Sequence, residues 1–429
     1  MNSGTQLPSR RAIEALRSGV PNRDAVQALG SSQPDIERRF REQLKAVADG
    51  SAQGLGSEGM LIDGTFGSGK SHLLEYMQHV ALKSNFVCSK VVVSKETPLY
   101  DPAKLFRAAI ESAKVPDRTG NALTEIVSTL DFNSPRYDEF YQWVNRADNG
   151  LSRRFPATTL VFKLSKGIGG PEIADRIIQF WSGNKIATGD LRQWLIELGE
   201  AASYRIDKAS VKELALQRYQ FVPRLIVAAG YAGWVILVDE VELIGGYSWR
   251  QRANSYAEIG KLLGKLEGSS IPGVACVLAI TDVFRADVLD ARNDEEEIPN
   301  KLRATGNEAD QLVASRTERG MRAIRREAMH LQPPSDDTFR DLYAKVKMLH
   351  GQAYLWDPPG EFAPPAPNER VRVRLNLKRW IHEWDLKRLY PGYLPHIEVI
   401  ELKEDLSEHA EMEKPTETSE ESGEDRAHE

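Results

Sequence analysis

Four short aliphatic runs stand out against a background of helical periodicity. Residues 60–62, 86–93, 234–238 and 274–281 carry too few polar positions to alternate, the pattern of strands buried on both faces. Between and after them, at 70–82, 102–114 and 256–266, apolar positions recur every three or four residues and predict amphipathic helices. Strand and helix thus alternate, which predicts an α/β fold whose parallel sheet has helices on both faces. The longest apolar run, 225–238, is interrupted by Gly230 and Gly233. It is too short to span a bilayer and reads as a helix end followed by a buried strand.

The flanking regions are helical by the same test. Residues 9–48 show apolar faces at Ile13, Leu16, Val26, Leu29, Ile36, Phe40 and Leu44, broken at Pro21-Asn22, with Ser32 or Asp35 able to cap a second helix. A Gly/Ser-rich loop spans 50–59, and 116–224 is mostly helical. Residues 287–306 are polar and predict a loop, 308–326 predict a strongly basic helix, and 337–350 a helix capped from Pro333-Pro334-Ser335-Asp336. A Pro-rich connector at 358–367 leads into a basic, aromatic segment at 370–393. The expected organisation is an N-terminal helical segment (1–58), a core (59–306) with a helical insertion at about 115–224, a helical lid with a basic C-terminal segment (307–393), and an acidic tail (394–429).

Charge changes this picture once it is located. The chain carries −6, but residues 401–429 hold 12 acidic and 3 basic residues, a net of −9, which leaves the rest at +3. Such a tail has almost no large apolar residues to offset its ordering entropy and is expected to be disordered. The mildly basic remainder allows nucleic-acid affinity without demanding it. Cys88 and Cys276 are the only cysteines, far apart and both within apolar runs, so neither a disulfide framework nor a zinc site is expected and a reducing cytosol fits. The first residues show no apolar signal core, so a cytoplasmic location without a membrane segment is expected.

Candidate chemistry sits at the strand ends. Gly64-Thr65-Phe66-Gly67-Ser68-Gly69-Lys70-Ser71 matches the phosphate-loop pattern in full, after an apolar strand and before a helix. Glycines let backbone N–H groups curl around a β-phosphate at a helix N-terminus. Lys70 would reach the β- and γ-phosphates, the Ser71 hydroxyl would complete a Mg²⁺ shell, and His72 closes the ATP-contact set. The run at 234–238 ends in Asp239-Glu240, a strand tip that would hold Mg²⁺ through Asp239 and use Glu240 as general base. Glu242 reads as a solvated bystander. The run at 274–281 ends in Thr281-Asp282, either of which would sense the γ-phosphate. No N-K-x-D sequence is present, which favours ATP over GTP.

Arginines crowd the segment that follows: Arg303, Arg316, Arg319, Arg322, Arg325 and Arg326. Arg316 and Arg319 are the candidates for a finger that stabilises transition-state charge in a neighbour's site, which implies a homo- or hetero-oligomer. In 370–393, seven basic residues interleave with Trp380, Trp384 and Tyr390; such a segment either contacts nucleic acid or packs its aromatics on the body. The histidines show no metal-binding spacing.

The stretches GTFGSGKSHLL (64–74), VVVSKETPLYDPAKLFRAAI (91–110) and WVILVDEVELI (234–244) resemble the ATP-binding proteins of the BREX phage-defence system, BrxD more than the larger BrxC. Residues 10–30 and 330–354 share the likeness, which extends to about Tyr393. The resemblance implies an AAA+-type ATPase of the initiator/clamp-loader kind with a helical lid, acting with other BREX components and DNA. Too few residues follow 367 for the winged helix that such initiators often carry. Two other readings stay open: a nucleotide-switched DNA-binding scaffold that turns over slowly, and a replication or transposition regulator of the same clade.

Overall fold

The structure is a computed structural model; it describes residues 3–392 except 52–53, 166–169, 267–269, 367–368 and 371. The acidic tail, expected to be disordered, lies outside the described residues. Three helices, α1 (Ser3–Ser18), α2 (Arg23–Leu29) and α3 (Pro34–Ser51), precede the first strand. The break at Pro21-Asn22 is present, and the Asn22 side chain caps α2 by accepting from the Ala25 N–H. A second break, missing from the periodicity, follows at Gly30, whose φ of 72° ends α2. Asp35 therefore falls in the first turn of α3 rather than at a cap.

The sheet has five parallel strands: β1 (Met60–Gly64), β2 (Phe86–Val92), β3 (Gly233–Asp239), β4 (Val274–Thr281) and β5 (Met329–His330), in the order β2-β3-β4-β1-β5. The expected α/β class is present. β5 has only two residues, too short to leave a periodic signal, and pairs Met329 with Ile62. Register places Gly64 opposite Thr281 and Val92 opposite Asp239, so the tips of four strands come to one end of the sheet. β3 and β4 are buried throughout. Along β3, Trp234, Ile236 and Val238 enter the core on one face while Val235 and Leu237 enter the core on the other.

Helices α3 and α4 (Lys70–Lys83) cover one face. The other is covered by α5 (Pro102–Glu111) and the run α6 (Ala122–Ser128), α7 (Pro135–Asn145), α8 (Arg154–Leu164), α9 (Gly170–Trp181), α10 (Thr188–Glu197) and α11 (Val211–Ala228) between β2 and β3. Phe106 meets Trp234 edge-on at 6.0 Å, and the Trp234 indole donates to Ser89 Oγ at 2.8 Å, which joins α5 to two strands. On that face also lie α12 (Trp249–Leu262), α13 (Asp294–Ala304) and α14 (Glu308–Arg326).

The segment expected to be a loop at 287–306 is corrected: it holds a short π-type turn, Arg285–Asp290, and then α13. Its polarity belongs to a helix with Asp294, Glu295, Glu296 and Glu297 in the first turn and Lys301 and Arg303 in the last, each sign matched to the helix dipole. Asp294 is buried, bonded to the Arg252 guanidinium at 2.8 and 2.9 Å and to the Tyr256 hydroxyl at 2.7 Å.

After β5, α15 (Asp336–Tyr354) and α16 (Val373–Leu389) pack with α1 and α2 around a separate apolar core. His350 is fully buried there, accepting from the Trp356 indole at Nδ1 and donating from Nε2 to Asp385, which also holds Arg17 at 2.8 Å. Trp380 and Trp384 belong to this core and are buried, so these two aromatics pack on the body and offer no surface to a base.

Candidate functional site

The octet forms the turn from β1 into α4. Gly67 (φ 80°) and Gly69 (φ 106°) take left-handed conformations open to glycine at no steric cost, and Gly69 stands at the N-cap of α4. At Gly64 a Cβ would meet Ser68 Oγ at 2.7 Å, so the loop closes tightly on itself there. Lys70 is buried; its ammonium donates to the Gly64 carbonyl at 2.8 Å and the Thr65 carbonyl at 3.1 Å, both within the loop.

Several polar atoms around the loop lack a hydrogen-bond partner: Thr65 Oγ1, Ser68 Oγ, Thr281 Oγ1 and Asp282 Oδ1 are all buried. Buried polar groups are normally satisfied. The three orphaned hydroxyls, around a glycine cradle at a helix N-terminus, fit a phosphate, whose oxygens would accept from them, while Asp282 Oδ1 is an acceptor left for a water. Ser71 and Asp239 fit a magnesium ion held jointly with such phosphates. Among the described residues no cluster of three or more His, Cys, Asp or Glu side chains could hold a metal by itself.

Asp239 ends β3 and is buried, with the Lys90 ammonium 4.0 Å away; Lys90 also lies 3.7 Å from Glu75. These two carboxylates, on β3 and α4, hold Lys90 two residues before the end of β2. β4 lies between β1 and β3, so Asp239 stands about 10 Å across the sheet from the loop strand. Glu240 is exposed and adopts φ 57°, ψ 39°, a conformation uncommon for residues other than glycine; its N–H donates to Asp239 Oδ1 at 3.1 Å.

Glu242 overturns its expectation. It is buried in the 3-10 helix Val241–Gly246, and its carboxylate accepts the Thr281 N–H at 3.2 Å. It thus ties the tip of β3 to the tip of β4. Asp63, one residue before the loop, is buried too, bonded to Arg285 at 2.6 Å and to His330 at 3.1 Å.

The loop is roofed by elements distant in sequence. The Arg374 N–H donates to the Gly67 carbonyl at 3.2 Å, and the Arg374 guanidinium lies 5.4 Å from the Phe66 ring. Phe66 therefore turns to α16. A cavity of about 120 Å³ lies beside Ser68, Gly69, Ser71 and His72, walled by 30–33 and by residues of α15 and α16. The His72 Nε2 lies 2.8 Å from the Gly30 carbonyl, and burial pushes the ring's pKa down, so the neutral ring donates from Nε2.

Arg316 and Arg319 are not part of this constellation. They are exposed on α14 and line a cleft with Ile271 and Pro272, just before β4 begins, while the loop adjoins the last residue of β4. Seven residue steps of strand separate the two ends, about 23 Å. Both arginines are therefore out of reach of the phosphate loop of their own chain. Among the residues that sequence reading missed, Glu242 and Lys90 carry no local signature, since burial and partners from other strands give them their roles. Arg374 was visible as one charge in a basic run.

A parallel α/β sheet with a phosphate loop at its strand tips defines a nucleotide-binding class of protein. A family model described as BREX system ATP-binding protein BrxC/D matches residues 6–357, and the chain belongs to this family of ATP-binding proteins. The matched span includes the loop, both carboxylates and the arginines of α14, and ends before α16. No curated protein and no solved structure matches the chain.

Proposed function

We propose that this BREX-family protein hydrolyses ATP with magnesium at the tip of the sheet, as an AAA+-type ATPase of the defence system. In this reading the N–H groups of the 64–69 turn cradle the β-phosphate, and Lys70 moves from the Gly64 and Thr65 carbonyls to the β- and γ-phosphates. Ser71 and Asp239 hold magnesium, which would neutralise phosphate charge. Glu240 takes the proton of the attacking water, and Thr281, held by Glu242, offers its hydroxyl to the γ-phosphate. His72 and 30–33 flank the rest of the nucleotide. The strand order, with β4 between the loop strand and the acidic strand, supports the AAA+ assignment, and α15 with α16 supplies the lid.

The observation that carries the reading is Glu240. A non-glycine residue at φ 57° costs about 1 kcal/mol or more, and such outliers concentrate at functional sites. Here it follows Asp239 at the strand tip and is exposed. Glu240→Gln keeps the shape and loses the base, so ATP affinity should hold while turnover falls roughly 10²–10⁴-fold. Wild-type turnover in that variant would place the base elsewhere. Partner BREX components and DNA are part of the proposal through the family; co-purification with and without nuclease tests both.

A further inference from the structure

At the opposite end of the sheet from the phosphate loop, α11, α12 and α14 enclose a cleft of about 640 Å³. This is within the range of small-molecule sites. Its charged lining is mostly cationic: Arg224, Lys261, Arg316 and Arg319. The one acid, Glu258, is already engaged by Lys261 at 3.1 Å. Among the described residues no carboxylate lies within ion-pair distance of Arg224, Arg316 or Arg319. Arg319 donates to the Lys265 carbonyl at 3.2 Å, and Arg224 to the Gln220 carbonyl one turn back on its own helix at 2.8 Å.

Two further features distinguish the cleft from a solvated basic face. The Arg224 guanidinium is half-buried on the Trp143 ring, 4.1 Å from its centroid, and loss of solvent pushes its pKa down to about 10. Tyr219 is almost fully buried, and its hydroxyl has no hydrogen-bond partner. A desolvated cation and an orphaned donor are both costly, and both residues line the cleft, where the oxygens of a phosphate-bearing ligand would offer them acceptors. Leu216 and Leu312, both exposed, add apolar surface to the rim.

We propose that this cleft binds a phosphate-bearing ligand of nucleotide size, with Tyr219, Arg224, Arg316 and Arg319 as its donors, at a site separate from the phosphate loop. The guanidinium forks match phosphate geometry, and the leucines offer contact to a base or sugar. The phosphate comes either from a free nucleotide or from a single-stranded nucleic-acid backbone, and both present the same oxyanion.

The test uses full-length Lys70→Ala protein, whose phosphate loop lacks its cation, titrated with inorganic pyrophosphate, with ADP and with an oligothymidylate. The expected result is saturable binding of pyrophosphate and of ADP or the oligomer, weakened about tenfold by Arg224→Gln and by Tyr219→Phe. Tyr219→Phe removes an unpaired hydroxyl and leaves the ring, so the ligand-free variant should melt no lower than its parent. Stronger binding of ADP identifies a free nucleotide, and stronger binding of the oligomer a strand. If Lys70→Ala does not fold, the wild-type protein with its loop saturated by a non-hydrolysable ATP analogue takes its place. No binding by any probe, or affinities unmoved by both cleft substitutions, overturns the proposal.

Discussion

Lys70 shows how much one side chain does at the tip of this sheet. Its ammonium is buried and bonded to two loop carbonyls, so the same cation that would meet phosphate also braces the turn. Lys70→Ala should abolish ATP binding at the phosphate loop, read by fluorescent-nucleotide titration in an Arg224→Gln background that weakens the cleft, and unchanged affinity would remove Lys70 from the role. Glu242 is a positioning residue. With the Thr281 N–H on its carboxylate, Glu242→Gln should retain most turnover, while Glu242→Ala should lower kcat about tenfold with little change in KM, the value of one hydrogen bond to a charged group. Equal loss in both variants would point to the charge rather than the tether. The phosphate octet and Asp239-Glu240 were legible in sequence because their chemistry is local: consecutive residues on a turn and at a strand end. Glu242 was misread because burial decides its role, and its partner lies on another strand. Nothing in the local sequence distinguishes it from a solvated glutamate.

At the scale of elements, periodicity located every strand longer than two residues and the bounds of α14, because burial on two faces and on one stripe leaves regular traces. It missed α13, whose apolar stripe is only Ile298, Pro299 and Leu302 among charges matched to the helix dipole, and the break at Gly30. The packing of α12 on α14 depends on Gly320. A Cβ there would fall inside the envelope of the Tyr256 carbonyl oxygen. Gly320→Ala should therefore cost about 2–3 kcal/mol in denaturant titrations, the usual scale of overpacking; a neutral result would mean the helices slide apart freely. The hydrogen bond from His72 to Gly30 joins α4 to the α2–α3 turn. His72 has a folded pKa below its ordinary value of about 6.5. Its contribution to stability is thus present above pH 6.5 and is lost as pH falls through the lower folded value, because the unfolded chain binds the proton first. The gap in melting temperature between wild type and His72→Gln, whose carboxamide can still donate, should shift in favour of the variant from pH 7.5 to pH 5.5. A pH-independent gap would contradict the neutral, buried ring.

At the scale of the whole molecule, the distribution of charge raises the question of a neighbour. In the proposed reading the loop, Asp239 and Glu240 form the nucleotide site, with Lys70 as its loop lysine, and phosphoryl transfer often needs a further cation. Arg316 and Arg319 are exposed on the far end of the sheet, about 23 Å from their own loop by strand rise, so either can serve as a finger only in another chain's site. The buried Tyr219 and the half-buried Arg224 cannot project that far, which separates a finger from a ligand-binding role. If the finger acts in trans, specific activity rises with protein concentration, and Arg316→Ala or Arg319→Ala lowers turnover without weakening ATP binding at the phosphate loop. Mixing either arginine variant with Lys70→Ala should then restore part of the activity, because one contributes an intact pocket and the other an intact finger. Arg224→Gln should leave turnover unchanged, whatever it does to ligands in the cleft. Specific activity that stays flat on dilution to a proven monomer, with both arginine variants fully active, would confine Arg316 and Arg319 to the cleft on their own chain.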